Sequence, residues 1–256
     1  MNNFMAWINK EWIEATRTFR LVALGSTFIA FAFLNPILLK MLPAILKSQS
    51  PGVDFSAIFE MSQREALRSY LDSLYEIGSF VVVLALMGSI PNEFSKGTLV
   101  IPFTSGAKIR NVYLSKLVIN GTALFAFSIA GASIANAYSA ILFGTDFASF
   151  APALKAGFLY GLYFVFAASL TLLAGSFLRK PSLAAVFTLL VLYIAPPVAG
   201  LFDLAVWFPF EMLDAANDLT PFFSKSSCRS ILHTIAWLST FSYLTVWKLE
   251  HMEKAR

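Results

Sequence analysis

Side chains able to make or break bonds are scarce in this 256-residue sequence, and none is arranged for it. The single cysteine, Cys228, excludes an internal disulfide and any thiolate cluster. His233 is the one histidine inside an apolar segment. It could relay a proton, although a histidine hydrogen-bonded near an interface is the commoner case. There is no Gly-x-Ser-x-Gly elbow, no glycine-rich phosphate loop and no His/Glu metal spacing. The expectation is therefore no catalytic residue, no metal and no cofactor bound by this chain. What remains is patterned charge. The stretch PNEFSKGTLVIPFTSGAKIRNVYLSKLV, residues 91–118, holds Lys96, Lys108, Arg110 and Lys116 with a single acid, Glu93. Its chemistry is ion pairing and docking rather than bond cleavage.

The elements that hold this island are apolar. Hydrophobic residues make up 57% of the chain and charged ones 13%, about half the charge usual in a soluble domain. Charge-free runs recur at 21–39, 77–92, 117–145, 156–178, 181–202 and 230–247. Crossing a bilayer takes about 20 apolar residues in a closed helix, because lipid offers the backbone no other partner. The expectation is one all-α integral membrane domain, 1–256, with six transmembrane helices at about 21–43, 74–92, 117–143, 156–178, 181–202 and 230–247. Residues 93–116 form a loop between the second and third spans. No cleavable signal peptide is apparent, since Lys10, Glu11, Glu14, Arg17 and Arg20 precede the first run.

Six spans put both termini on one side. With that side cytoplasmic, its segments carry 12 Lys/Arg against 7 outside, which favours N- and C-termini inside. The net charge of +4 then reflects topology, and no soluble basic face suggests a nucleic-acid partner. At the N-terminus, Phe4, Trp7, Ile8 and Trp12 fall on one helical face, with Lys10, Glu14 and Arg17 elsewhere. That pattern suits an interfacial helix over 1–20, or an ordinary frayed end. Leu67, Leu71 and Leu74, like Phe55, Ile58 and Phe59, repeat at helical spacing in the loop 44–76. Residues 203–229 are too polar to span and too apolar for a free loop, which fits a partly re-entrant segment between helices 5 and 6. Asn35-Pro36 and Pro196-Pro197 should break or bend their helices, and Gly157 and Gly161 allow close helix approach. No charged residue sits mid-span, so any uphill transport must draw its energy from a partner.

The island has a recognisable spacing. Glu93, Gly97, Thr98 and Leu99 read Glu-x-x-x-Gly-Thr-Leu, with Lys116 and Leu117 following at fixed distance. This resembles the signature of ABC-2 type transporter permeases, except that Gly106 stands where that turn usually carries proline. The N-terminal helix with Trp7, Lys10, Glu11, Trp12 and Arg17, the tight 179–180 turn and the six spans are also similar to that family. The resemblance implies a permease subunit, most naturally an exporter of an amphipathic or hydrophobic cargo, in the plasma membrane of a bacterium or archaeon. It further implies a second permease subunit, identical or homologous, and two copies of a cytosolic ATPase subunit carrying the ATP and Mg. The island, Glu93, Lys96, Gly97, Thr98, Leu99, Phe103, Thr104, Ser105, Gly106, Ala107, Lys108, Ile109 and Arg110, would be the coupling segment.

The residues fit such a role. Gly97 and Gly106 permit sharp turns, Phe103 and Ile109 can bury in a partner's groove, and Glu93 can pair with a base or cap a helix. Lys108 and Arg110 can meet acids on a partner or anionic headgroups. The alternative is an ATP-independent membrane scaffold or assembly factor.

Overall fold

A computed structural model describes residues 3–49, 61–98, 108–146, 149–202 and 207–253. Among these residues every regular element is helical. An amphipathic α1 (Asn3–Arg17) precedes α2 (Arg20–Gln49). Next come α3 (Gln63–Ser73), a single π turn (Leu74–Gly78), α4 (Ser79–Leu86) and the short α5 (Pro91–Ser95). The long α6 (Ile109–Phe143) and α7 (Ala151–Leu178) lead to α8 (Pro181–Leu201), α9 (Glu211–Asn217) and α10 (Lys225–Glu253).

Among the described residues five segments are long and apolar enough to cross a membrane: Arg20–Leu46, Gln63–Ser95, Ile109–Phe143, Ala151–Leu178 and Pro181–Leu201. The chain is a multi-pass membrane protein. The sixth expected run lies within α10, which has the length but a more polar face. Ser230, Thr234, Ser239, Thr240 and Thr245 each donate to a carbonyl four residues back, which satisfies the hydroxyls inside the helix.

Most helices begin earlier than the sequence expectation, α2 and α10 also end later, and α8 begins where expected. The second half of the 44–76 loop is α3, continuous through the π turn with α4. Ser62 caps it by accepting from the Glu65 amide at 3.2 Å. Residues Phe55, Ile58 and Phe59 lie outside the described part. The prolines do not break their helices, for α2 runs through Pro36 and Pro43, and α8 through Pro196 and Pro197. At Asn35-Pro36 the Asn35 amide donates to Phe31 O at 3.1 Å, and its oxygen accepts from Ser69 and Ser73. This ties the proline turn of α2 to α3.

The architecture is organised around α7, whose most apolar stretch is 72% buried inside the protein, against 28–44% for the other four. Its near neighbour is α6, and small residues set their separation. A methyl on Gly157 would come within 2.8 Å of Ile129 Cα and 2.9 Å of Ser128 O, and one on Gly161 within 2.6 Å of the Phe125 ring. Lipid supplies little drive to bring apolar helices together, so backbone approach and van der Waals fit must do it. Phe28, Tyr163 and Phe164 fill the centre, with Phe28 edge-on to Phe164 at 5.1 Å.

The bundle has two polar ends. At one, Gln63 bonds Asn136, and the Arg64 and Asp146 amides meet side chains across 63–146. At the other, α1, α5 and the starts of α6 and α8 converge.

Candidate functional site

At that second end lies a cluster of buried charge. The apolar stripe of α1 explains its first member. At about 100° per residue, Glu11 is about 20° round from Phe4, whereas Trp12 is about 80° away. Glu11 and Ala15 are accordingly fully buried, while Trp12 is 53% exposed. Glu11 thus sits within the arc spanned by Phe4, Trp7, Ile8 and Trp12, an acid in the middle of the apolar stripe. Trp7 stays half-buried beneath the Lys10 ammonium, 5.3 Å from its ring centre, and Arg17 is exposed in the last turn.

The second member comes from α5. Pro91 opens this helix, Glu93 sits in its first turn, and the helix stops at once. The Thr98 amide donates to Glu93 O at 3.1 Å and the Gly97 amide to Phe94 O at 3.2 Å. With Gly97 at φ +67°, this is a Schellman stop, which needs a left-handed residue that glycine adopts without penalty. The Glu-x-x-x-Gly-Thr spacing therefore has a local cause: it sets the length of one helix and holds Glu93 inward. Lys96 is the exposed cap residue before Gly97.

The third member is Lys116, two turns into α6 on the face shared by Ile109, Val112 and Tyr113, all buried. The helix starts at Ile109, so the last part of the expected loop is a continuation of the third membrane segment. Ile109 does not wait for a partner's groove. It packs within its own chain against Ile90, Tyr113, Leu172 and Leu249. Lys108 and Arg110 are exposed beside it. Leu99, Phe103, Thr104, Ser105, Gly106 and Ala107 lie outside the described residues.

These elements bring Lys116 Nζ to 2.6 Å from Glu11 Oε1 and 2.9 Å from Glu93 Oε1. Lys10 Nζ reaches the same Glu93 oxygen at 2.6 Å, Glu11 at 3.5 Å and Glu14 at 3.7 Å. Arg20 approaches from α2, donating to Ser89 Oγ at 3.1 Å. Three acids thus meet three bases, and Lys116 and Glu11 have no exposed surface. Burial alone would lower the Lys10 ammonium, but the hydrogen bond to Glu93 and the charges of Glu93, Glu11 and Glu14 outweigh it, so its pKa is raised.

Glu11, Glu14 and Glu93 are also close enough to share a cation, yet the ammonium groups of Lys116 and Lys10 already fill the space between them. The arrangement is a mechanical joint. It binds the N-terminal helix to both ends of the island, while the second oxygens of Glu11 and Glu93 stay buried without a partner among the described residues. Arg179, in the tight turn after α7, stacks over Phe94 at 5.7 Å and extends the joint to α5.

Sequence reasoning named Glu93 and Lys116 but missed their meeting with Glu11, and it gave Arg20 no part in a site. The signal for Glu11 was present, as an acid on the apolar stripe of an amphipathic helix. His233, the candidate relay, stacks on Trp207 at 5.2 Å.

The chain matches no known protein-family model. It is similar to an uncharacterized transmembrane protein, YxlG, of Bacillus subtilis (strain 168), with 27% identity over 263 residues that cover 99% of each protein. The match runs along nearly the whole of both chains.

Proposed function

We propose that this protein is the permease subunit of an ABC-2 type transporter, exporting an amphipathic or hydrophobic cargo with energy from a separate ATPase. One observation carries the reading. Glu93 and Lys116, the first and last charged members of the island motif, meet at 2.9 Å in a buried joint that also holds α1. A push on the island between them would be delivered to α1, α5 and α6 together. Opposed charges in low dielectric resist separation strongly, so the junction would move as one body rather than yield locally.

In this reading α10 is the sixth span, both termini are cytoplasmic, and α9 belongs to a partly re-entrant outer segment. Two such subunits would pair in the plasma membrane, each seating one ATPase subunit against the island. Lys108 and Arg110, exposed at the start of α6, supply basic contacts for acids on that ATPase.

The test is co-purification of the detergent-solubilised protein with the cytosolic ATP-binding-cassette ATPases of the same cell. The comparison is wild type against Lys108→Glu combined with Arg110→Glu, whose exposed positions leave folding intact. Recruitment by the wild type and loss in the variant supports the reading. Equal recruitment by both moves the docking site to α1 or the C-terminal tail. Absence of any ATPase from the wild type refutes it and leaves the scaffold alternative.

A further inference from the structure

At the opposite end of the bundle, a cavity of about 330 Å³ opens between α3, α7, α8 and α9. Asp72, Glu211 and Asp214 line it, and among the described residues no lysine or arginine does. Its walls are Tyr75 from the π turn, with Pro196, Phe210 and Leu213. At its floor stands Tyr160, 1% exposed, whose hydroxyl has no hydrogen-bond partner among the described residues. A buried, unpaired hydroxyl in an apolar wall is costly unless something arrives to meet it.

The polar groups differ in how far they are already used. Glu211 accepts from Arg229 at 3.0 Å and from Ser230 at 2.8 Å. Asp72 accepts from Asn217 Nδ2 at 3.1 Å, and the nearby Arg68 guanidinium donates to Asn217 O at 3.0 Å. The remaining oxygen of Asn217 is buried without a donor. The Asp214 carboxylate, unlike its backbone carbonyl, has no hydrogen bond or ion pair among the described residues. Asp214 is an exposed residue, and its partial covering, then the charges of Asp218 and Glu211, raise its carboxyl above the usual 3.8. The Asp214 carboxylate is thus uncommitted at a space lined by three acids, and the Asn217 oxygen and the Tyr160 hydroxyl of two further lining residues are buried without partners.

We infer that this cavity binds an organic ammonium ion carrying an apolar body. Its N–H donors would satisfy the Asp214 carboxylate, the Asn217 oxygen and the Tyr160 hydroxyl, and Tyr75 and Phe210 would flank the cation with ring faces and edges. A bare metal ion fits less well. Glu11, Glu14 and Glu93, at the far end, are the one trio of acidic, histidine or cysteine groups among the described residues that converges closely enough to share an ion. The π turn has a part here, since it carries Tyr75 into the wall. Such turns recur at ligand sites because they offset side chains from the α-helical register. Tyr75 and Tyr193 fix it by bonding each other's helix, with Tyr75 Oη donating to Leu192 O at 3.0 Å and Tyr193 Oη to Glu76 O. The cavity is a property of this chain alone, so the inference stands whether or not an ATPase drives the protein.

The test is calorimetric titration of the intact protein in lipid nanodiscs with 4-phenylbutylammonium, with empty nanodiscs subtracted. The uncharged 4-phenylbutanol and the anionic 5-phenylpentanoate serve as shape-matched controls. Saturable binding of the ammonium alone is expected, weakened about tenfold or more by Asp214→Asn, because a charge-assisted bond is lost. Tyr160→Phe should weaken it by a smaller factor while leaving the thermal midpoint unchanged. Equal heats for all three probes, or an unchanged affinity in Asp214→Asn, would overturn the inference. So would displacement of the heat by millimolar calcium with no competition from the ammonium.

Discussion

Replacing Lys116 by methionine keeps the length and apolar stem of the side chain and deletes only the ammonium. That group lies 2.6 Å from Glu11 and 2.9 Å from Glu93 with no exposed surface. Its loss leaves three acids facing two bases. One of those, Arg20, bonds Ser89 rather than the carboxylates, and the other, Lys10, is 40% exposed. Removing one partner of a buried pair costs about 3–5 kcal/mol. At roughly 2–4 °C per kcal/mol for a chain of this size, the thermal midpoint should fall by about 6–20 °C.

The informative comparison adds Glu11→Leu to Lys116→Met. The double variant is again balanced, with Glu14 and Glu93 facing Lys10 and Arg20, and apolar replacement of a whole buried pair is close to neutral. It should therefore recover most of the loss. Thermal unfolding in nanodiscs at one fixed scan rate reads the effect, and trypsin cleavage after Arg17 reports whether α1 has left its seat. If the single variant is as stable as wild type, or if the double variant is no better than the single, the joint does not hold these helices by charge and the argument fails.

Two further outcomes follow from the same geometry. Gly157→Ala places a methyl 2.8 Å from the α6 backbone at Ile129, so it should cost about 1–3 kcal/mol. Gly121→Ala, whose methyl would meet only Val165 at 3.5 Å, should be tolerated, and equal midpoints for the two would contradict the close α6–α7 packing. The Lys10 contact should also set an alkaline limit. A base whose folded pKa is raised contributes fully below its usual value, here 10.5, and loses that contribution as pH climbs through the folded value. Trp7 fluorescence should therefore stay constant through neutral pH and change only above pH 10.5. A transition near pH 7 would show that other groups hold α1.

The sequence carried the helical, membrane-spanning character of this protein directly, because bilayer thickness writes itself into the chain as runs of about 20 apolar residues. It also carried the Glu93-x-x-x-Gly97-Thr98 pattern, whose meaning is local: a helix stop depends only on neighbouring backbone and on glycine's access to positive φ. What it did not carry is anything that depends on which face of one helix meets another. Glu11 and Lys116 are 105 positions apart, and no local rule brings them together. Only the docking of α1 across the start of α6 turns an acid on an amphipathic helix into half of a buried pair. The prolines of α2 and α8 were legible as helix breakers, yet both helices continue through them. At Asn35 the side chain supplies Phe31 O with a donor and reaches serines on α3. The acidic cavity was equally hidden, since Asp72, Tyr160 and Asp214 belong to three separate elements and read singly as ordinary loop or span residues. Composition determined the medium and the helices; tertiary packing alone decided where the few charges that the medium tolerates would meet.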